Sequence, residues 1–93
     1  AKKHLIDWYK MQALKKLSER VQQYESVVGV KHASINITNA QKRLGSCNPR
    51  GGINFSWRLI MAPLKVIDYV VVHELVHIEI KNHSERFWNR LRI

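Results

Sequence analysis

PLKVIDYVVVHELVHIEI, residues 63–80, is a stretch in which apolar side chains recur almost all the way round a helical repeat. Pro63 suits the first turn of such a helix, where its missing N–H costs nothing. A helix apolar on nearly every side is expected to be buried. This one nevertheless carries His73, Glu74 and His77. Polar groups buried without partners are costly, so the three need a common purpose. His73 and His77 are four positions apart and stand one turn from each other on the same face, the reach required to grip one zinc ion through two imidazoles. Glu74 falls about 100° round the helix. There, beside the ion, a carboxylate can take a proton from a water that the metal activates. The implied chemistry is metal-assisted hydrolysis.

A catalytic zinc site takes a third protein ligand and keeps one open position. Within HELVHIEIKNH, residues 73–83, the candidate is His83. On an unbroken helix it would lie about 120° from the shared face. The helix is therefore expected to end first, with Asn82, a residue that tolerates left-handed backbone, in the turn. Glu85, from a following helix, is the rival third ligand. The spacing HExxHxxxxxH resembles that of the metzincins, with Ile80 in the place of their glycine.

Outward from this helix, residues 4–28 place Leu14, Leu17, Val21, Tyr24 and Val28 at three- and four-residue steps, which predicts an amphipathic N-terminal helix ended by Gly29. Trp8, Tyr9 and Met11 are expected to pack against the core. ASINIT (33–38) and INFSWRL (53–59) alternate with period two and read as half-buried strands. QKRLGSCNPRGG between them has the composition of a tight loop, so an antiparallel hairpin is expected. NHSERFWNRLRI closes the chain as a short helix with Ser84 at its N-cap and Phe87, Trp88 and Leu91 on its apolar side. The fold class is α+β.

Ninety-three residues make a single domain, 1–93, taken here as part of a longer protein. The longest apolar run in the deciding helix, Tyr69 to Val72, is too short to cross a bilayer, so no membrane association is expected. Cys47 is alone and can form no internal disulfide, which favours a cytoplasmic setting. Sixteen basic against seven acidic side chains give a formal charge of +9, a field that attracts phosphate backbones or acidic proteins. The basic residues are spread along the chain without the aromatic interleaving of RNA-binding motifs.

RLGSCN (43–48) followed by INFSWRLIMAPLKVIDYVVVHELVHIEIKNHSERFW (53–88) resembles the YgjP-like metallopeptidase domain of bacteria, a minimal zincin similar to the SprT-like and WLM metalloproteases. Leu44 stands where that family usually has tryptophan. The resemblance implies zinc ligands at His73, His77 and His83, Glu74 as catalytic base, and peptide or protein substrates. It also implies a zincin-like fold with a small antiparallel sheet beside the active-site helix. In zincins an edge strand pairs with the extended substrate, a role expected here for residues 54–58. The SprT-like and WLM relatives act on proteins attached to DNA, so by analogy the +9 charge suggests a protease brought to nucleic acid or to nucleic-acid-bound proteins.

The competing class is a metal-stabilised basic module that binds nucleic acid or protein without catalysis. Structural zinc sites are closed by four ligands with cysteine prominent, and no fourth is evident here. Among flanking residues, Tyr69 is expected to pack against the sheet, Asp68 to pair with a basic side chain, and Cys47 to be a small buried residue of the loop. Ser46, Asn48 and Arg50 are candidates to line the cleft.

Overall fold

The computed structural model describes residues 2–80 and 84–91. In chain order these form α1 (Lys2–Val28), β1 (Ser34–Thr38), β2 (Gly45–Cys47), β3 (Gly52–Ser56), a short 3-10 helix (Trp57–Met61), α2 (Leu64–Glu79) and α3 (Glu85–Leu91). The α+β class and the succession of long helix, strands and two further helices agree with the sequence pattern.

α1 is about 40 Å long at 1.5 Å per residue and accounts for most of the 46 Å long axis of the molecule. It buries Ala13, Leu17 and Val21, with Ile6, Tyr9, Tyr24 and Val28 half-buried on the same stripe. Full burial of one such Leu or Val is worth roughly 1.5–3 kcal/mol. Leu14, expected on this stripe, is one position off it and 45% exposed. Trp8 and Met11 are likewise exposed, whereas Tyr9 stacks on Trp57 at 5.2 Å between ring centroids. Gly29 ends the helix at φ +78, its N–H donating to the Glu25 carbonyl at 2.8 Å.

The sheet differs from the expected hairpin. Its order is β1-β3-β2, with β1 parallel to β3 (Ser34↔Gly52 to Thr38↔Ser56) and β2 antiparallel to β3 (Gly45↔Phe55 to Cys47↔Ile53). It is therefore mixed, and the stretch read as loop supplies a third strand. β2 and β3 are joined by a tight turn at 48–51. The Asn48 carboxamide oxygen there accepts from the Arg50 and Gly52 N–H groups, both at 2.9 Å, and Gly51 adopts φ +86.

β3 ends at Ser56, three residues short of the expected Leu59. The Ser56 hydroxyl accepts from the Arg58 N–H at 3.2 Å and donates to the Ala40 carbonyl at 2.8 Å, which starts the 3-10 turn. Trp57 and Leu59 remain buried, and the Trp57 indole donates to Asn39 Oδ1 at 2.7 Å.

α2 packs Ile67, Val71 and Leu75 into the main core with Ile53 and Phe55 of β3. It is buried on one side and not all round. Leu64, Val66 and Tyr69 are 49%, 39% and 53% exposed, because sheet and α1 cover only part of its circumference. Asp68 pairs with a basic side chain as expected: Arg20 of α1 grips it through two hydrogen bonds of 2.8 and 2.7 Å, and the Tyr24 hydroxyl adds a third at 3.0 Å. These bonds, Arg20 first, hold the Asp68 carboxyl below the usual carboxylate range. α3 starts at Ser84, whose hydroxyl accepts from the Phe87 N–H at 3.4 Å, and lays Phe87 on Val76 and Ile80 in a second small core. Arg90 ties α3 to its neighbours, donating to Glu79 of α2 and to the Val28 carbonyl of α1.

Candidate active site

The C-terminal half of α2 presents His73 and His77 side by side, ring centroids 4.6 Å apart and planes at 78°. A carbonyl oxygen can only accept, so the 3.1 Å contact between His77 Nδ1 and the Ile80 carbonyl places a proton on Nδ1. In the neutral ring Nε2 is then the lone-pair nitrogen. His73 Nδ1 lies 3.2 Å from Glu74 Oε2, and donation to this carboxylate assigns the same tautomer to His73. Orientation of a ligand imidazole through its other nitrogen is the usual outer support of a metal site. Phe87 backs both rings, stacked on His77 at 4.4 Å and edge-on to His73 at 5.2 Å. That role is not visible in the sequence, where Phe87 reads only as the apolar side of a helix.

Glu74 is buried, with 5% of its surface exposed. The approach of β2 explains this. A Cβ built on Gly45 would sit 3.0 Å from Val70 Cγ1 and 3.2 Å from Glu74 Cγ, so a side chain here would press on both and the glycine lets the strand lie this close to α2. The space left between the two elements is a cleft of about 510 Å3, walled by Arg43, Gly45, Ser46, Cys47, Asn48 and Pro49 on one side and by His73, Glu74 and His77 on the other.

Of the residues expected to line the cleft, Ser46 and Asn48 do so and Arg50 does not. Arg50 sits in the turn beyond Asn48, while Arg43, read in the sequence only as one of the spread basic residues and the start of RLGSCN, takes a place in the wall. Cys47 belongs to β2 and faces the cleft, half-buried. Tyr69 does not pack on the sheet but stands exposed with its ring 5.9 Å from that of His73. The strand expected to receive substrate is also corrected: β3 is central, and the edge strand beside the cleft is β2. Among the described residues no strand pairs with the outer edge of β2.

His83 lies outside the described residues. Among the described residues no three His, Cys, Asp or Glu side chains come together around one point. Glu85, at the head of α3, lines a shallow groove with Glu79 and Arg86 and is not grouped with the histidines. The donor set present fits a divalent metal: two imidazoles on one helix face, both with Nδ1 engaged, beside a carboxylate.

The YgjP-like metallopeptidase domain matches residues 1–92 of this sequence. The chain belongs to the YgjP-like metallopeptidase family. It is thereby a peptide hydrolase, of a class that works with a divalent metal on peptide or protein substrates. The fold is shared with the metallopeptidase zymogen abylysin of Pyrococcus abyssi (TM-score 0.74, 16% identity, covering 82% of this chain and 76% of that one). It is shared as well with the zymogen jannalysin of Methanocaldococcus jannaschii (0.71, 21%, 82% and 78%). A Wss1 mutant from Saccharomyces cerevisiae is similar too (0.71, 20%, 88% and 71%). No curated protein sequence matches the chain. No helix among the described residues is long and apolar enough to cross a membrane.

Proposed function

We propose that this domain is a zinc-dependent peptidase in which His73, His77 and His83 hold the metal and Glu74 is the general base. The observation that carries the reading is the pair of His73 and His77 rings beside the buried Glu74, all three opening onto a cleft whose far wall is the edge strand β2, unpaired on its outer side among the described residues. An extended peptide added to the outer edge of β2 would exchange main-chain hydrogen bonds with it and bring a scissile bond over the histidines. When bound, zinc supplies Lewis acidity, polarising the scissile carbonyl and lowering the pKa of water.

The chain's own residues supply the rest. Glu74 takes a proton from the attacking water and passes it to the departing amine nitrogen. Gly45, by its missing side chain, keeps β2 and the bound peptide within reach of that carboxylate. Phe87 and the Ile80 carbonyl hold the His77 ring in place. The test is Glu74→Gln, expected to keep stoichiometric zinc and to abolish cleavage of a protein substrate such as casein. Cleavage at the wild-type rate would remove Glu74 from the mechanism.

The +9 charge supports recruitment to nucleic acid or to nucleic-acid-bound proteins. Affinity for duplex DNA is then expected to fall steeply with salt, and binding indifferent to salt would argue against it. The single cysteine fits a reducing, cytoplasmic compartment.

A further inference from the structure

Arg43 is an exposed residue in the wall of the cleft that contains His73, Glu74 and His77. It makes no hydrogen bond or ion pair among the described residues. The contrast with other arginines of the chain is informative: Arg20 is held by Asp68, Arg58 by Asn39 and the Ala40 carbonyl, Arg90 by Glu79. Among the described residues the only carboxylate in the cleft wall is Glu74, and it is buried beside His73. Arg43 thus presents a planar five-donor cation to the cleft, with no anion among the described residues paired to it.

The backbone beside it is anchored. The β2 ladder continues past the strand proper, with the Leu44 carbonyl accepting from the Ser56 N–H at 2.9 Å, so Arg43 directly precedes a fixed residue. Gly45 marks the level of the base, since its Cβ position lies 3.3 Å from Glu74 Oε2. Arg43 is two residues before Gly45, beyond a bend at Leu44, and its Cα is therefore at most about 7 Å from that of Gly45. A peptide on the outer edge of β2, with its scissile bond at Glu74, therefore places a residue opposite Arg43 about two positions from that bond.

We propose that Arg43 is a specificity-determining residue that selects an aspartate or glutamate about two residues from the cleaved bond. The inference rests on the peptidase reading for the meaning of "cleaved bond", but the anion site itself does not. A guanidinium donates two parallel hydrogen bonds to a carboxylate, a planar fit that adds geometric selectivity to the charge attraction.

The experiment has two arms. In the first, zinc-loaded protein digests a degenerate ten-residue peptide pool and the cut sites are read by mass spectrometry. Acidic residues are expected to be enriched roughly three- to tenfold at one position about two residues from the cut. That enrichment disappears in Arg43→Ala and turns to lysine and arginine in Arg43→Glu. Lys15→Ala, which removes the same charge from the outer face of α1, leaves the enriched position in place. In the second arm, fluorescence anisotropy measures binding of a glutamate-containing peptide and its glutamine counterpart to Glu74→Gln and to Glu74→Gln/Arg43→Ala.

A preference for the acidic peptide that is lost with Arg43 supports the proposal even if no peptide is cut. That result would leave the anion site standing while the peptidase reading fails. Equal binding of the two peptides, or acidic enrichment that survives in Arg43→Ala or spreads over all positions, overturns it.

Discussion

Phe87→Ala removes the ring that backs both histidines and leaves a cavity in the small core formed with Val76 and Ile80. Phe87 is fully buried, and truncation of a buried phenylalanine to alanine costs roughly 3–5 kcal/mol. A domain of this length has a total stability of about 5–14 kcal/mol at 0.05–0.15 kcal/mol per residue. The variant should therefore sit close to the edge of folding in urea titrations followed by far-UV circular dichroism. Phe87→Leu separates packing from positioning. It keeps an apolar side chain but loses the stacked and edge-on contacts with His77 and His73, worth about 0.5–1.5 kcal/mol each at an aromatic pair. It should fold, lose roughly 1–3 kcal/mol, and weaken zinc about tenfold in competition with a chromogenic chelator, as supporting-shell changes commonly do. Wild-type zinc affinity in Phe87→Leu would refute the claim that this ring orients the ligands. A loss below about 1 kcal/mol in Phe87→Ala would refute the packing argument.

Gly45→Val forces a branched side chain against Val70 and Glu74, so a destabilisation of about 1–3 kcal/mol and a large fall in peptidase activity are expected; activity at the wild-type level would mean that β2 need not approach α2 so closely. Asp68 and Glu25 contribute to the acid limb. The Arg20 bonds hold Asp68 low; for Glu25 burial pushes the carboxyl up, but its hydrogen bonds with His32 prevail and leave it lowered. A carboxyl whose folded pKa is depressed adds stability that is present above its unfolded value, about 4, and is lost as pH falls through the folded one. The urea midpoint should thus drop on acidification below about pH 4, and Asp68→Asn should start lower and drop less; an unchanged slope would place the acid sensitivity elsewhere.

The helices were largely legible in the sequence because each carries a local signal. Pro63 opens α2, Gly29 with its positive φ closes α1, and the Ser84 hydroxyl caps α3. The spacing of His73 and His77 is equally local, and the structure brings their rings together on one face. The sheet was less legible. Strand direction is a long-range property, and Ile35 and Ile37 alternate in the same way whether β1 runs parallel or antiparallel to β3. β2 consists of Gly45, Ser46 and Cys47, with no β-branched residue and a glycine that reads as a turn. That glycine was the available clue, since a glycine inside a strand often marks close approach of another element. Arg43 precedes that strand and Arg50 lies in the turn after it, and no composition rule tells which of the two reaches the cleft. Tyr69, Trp8 and Met11 were misplaced because apolar character was read as burial, although a small domain leaves much apolar surface exposed.

The most direct test of the metal site is zinc content by elemental analysis of the tag-free protein purified without added metal, alongside His77→Ala and His83→Ala. About one zinc per chain, weakened or lost in each variant, is the expected result. No stoichiometric metal after zinc is offered, or full retention in His77→Ala, would contradict a metal centre built on the histidines of α2.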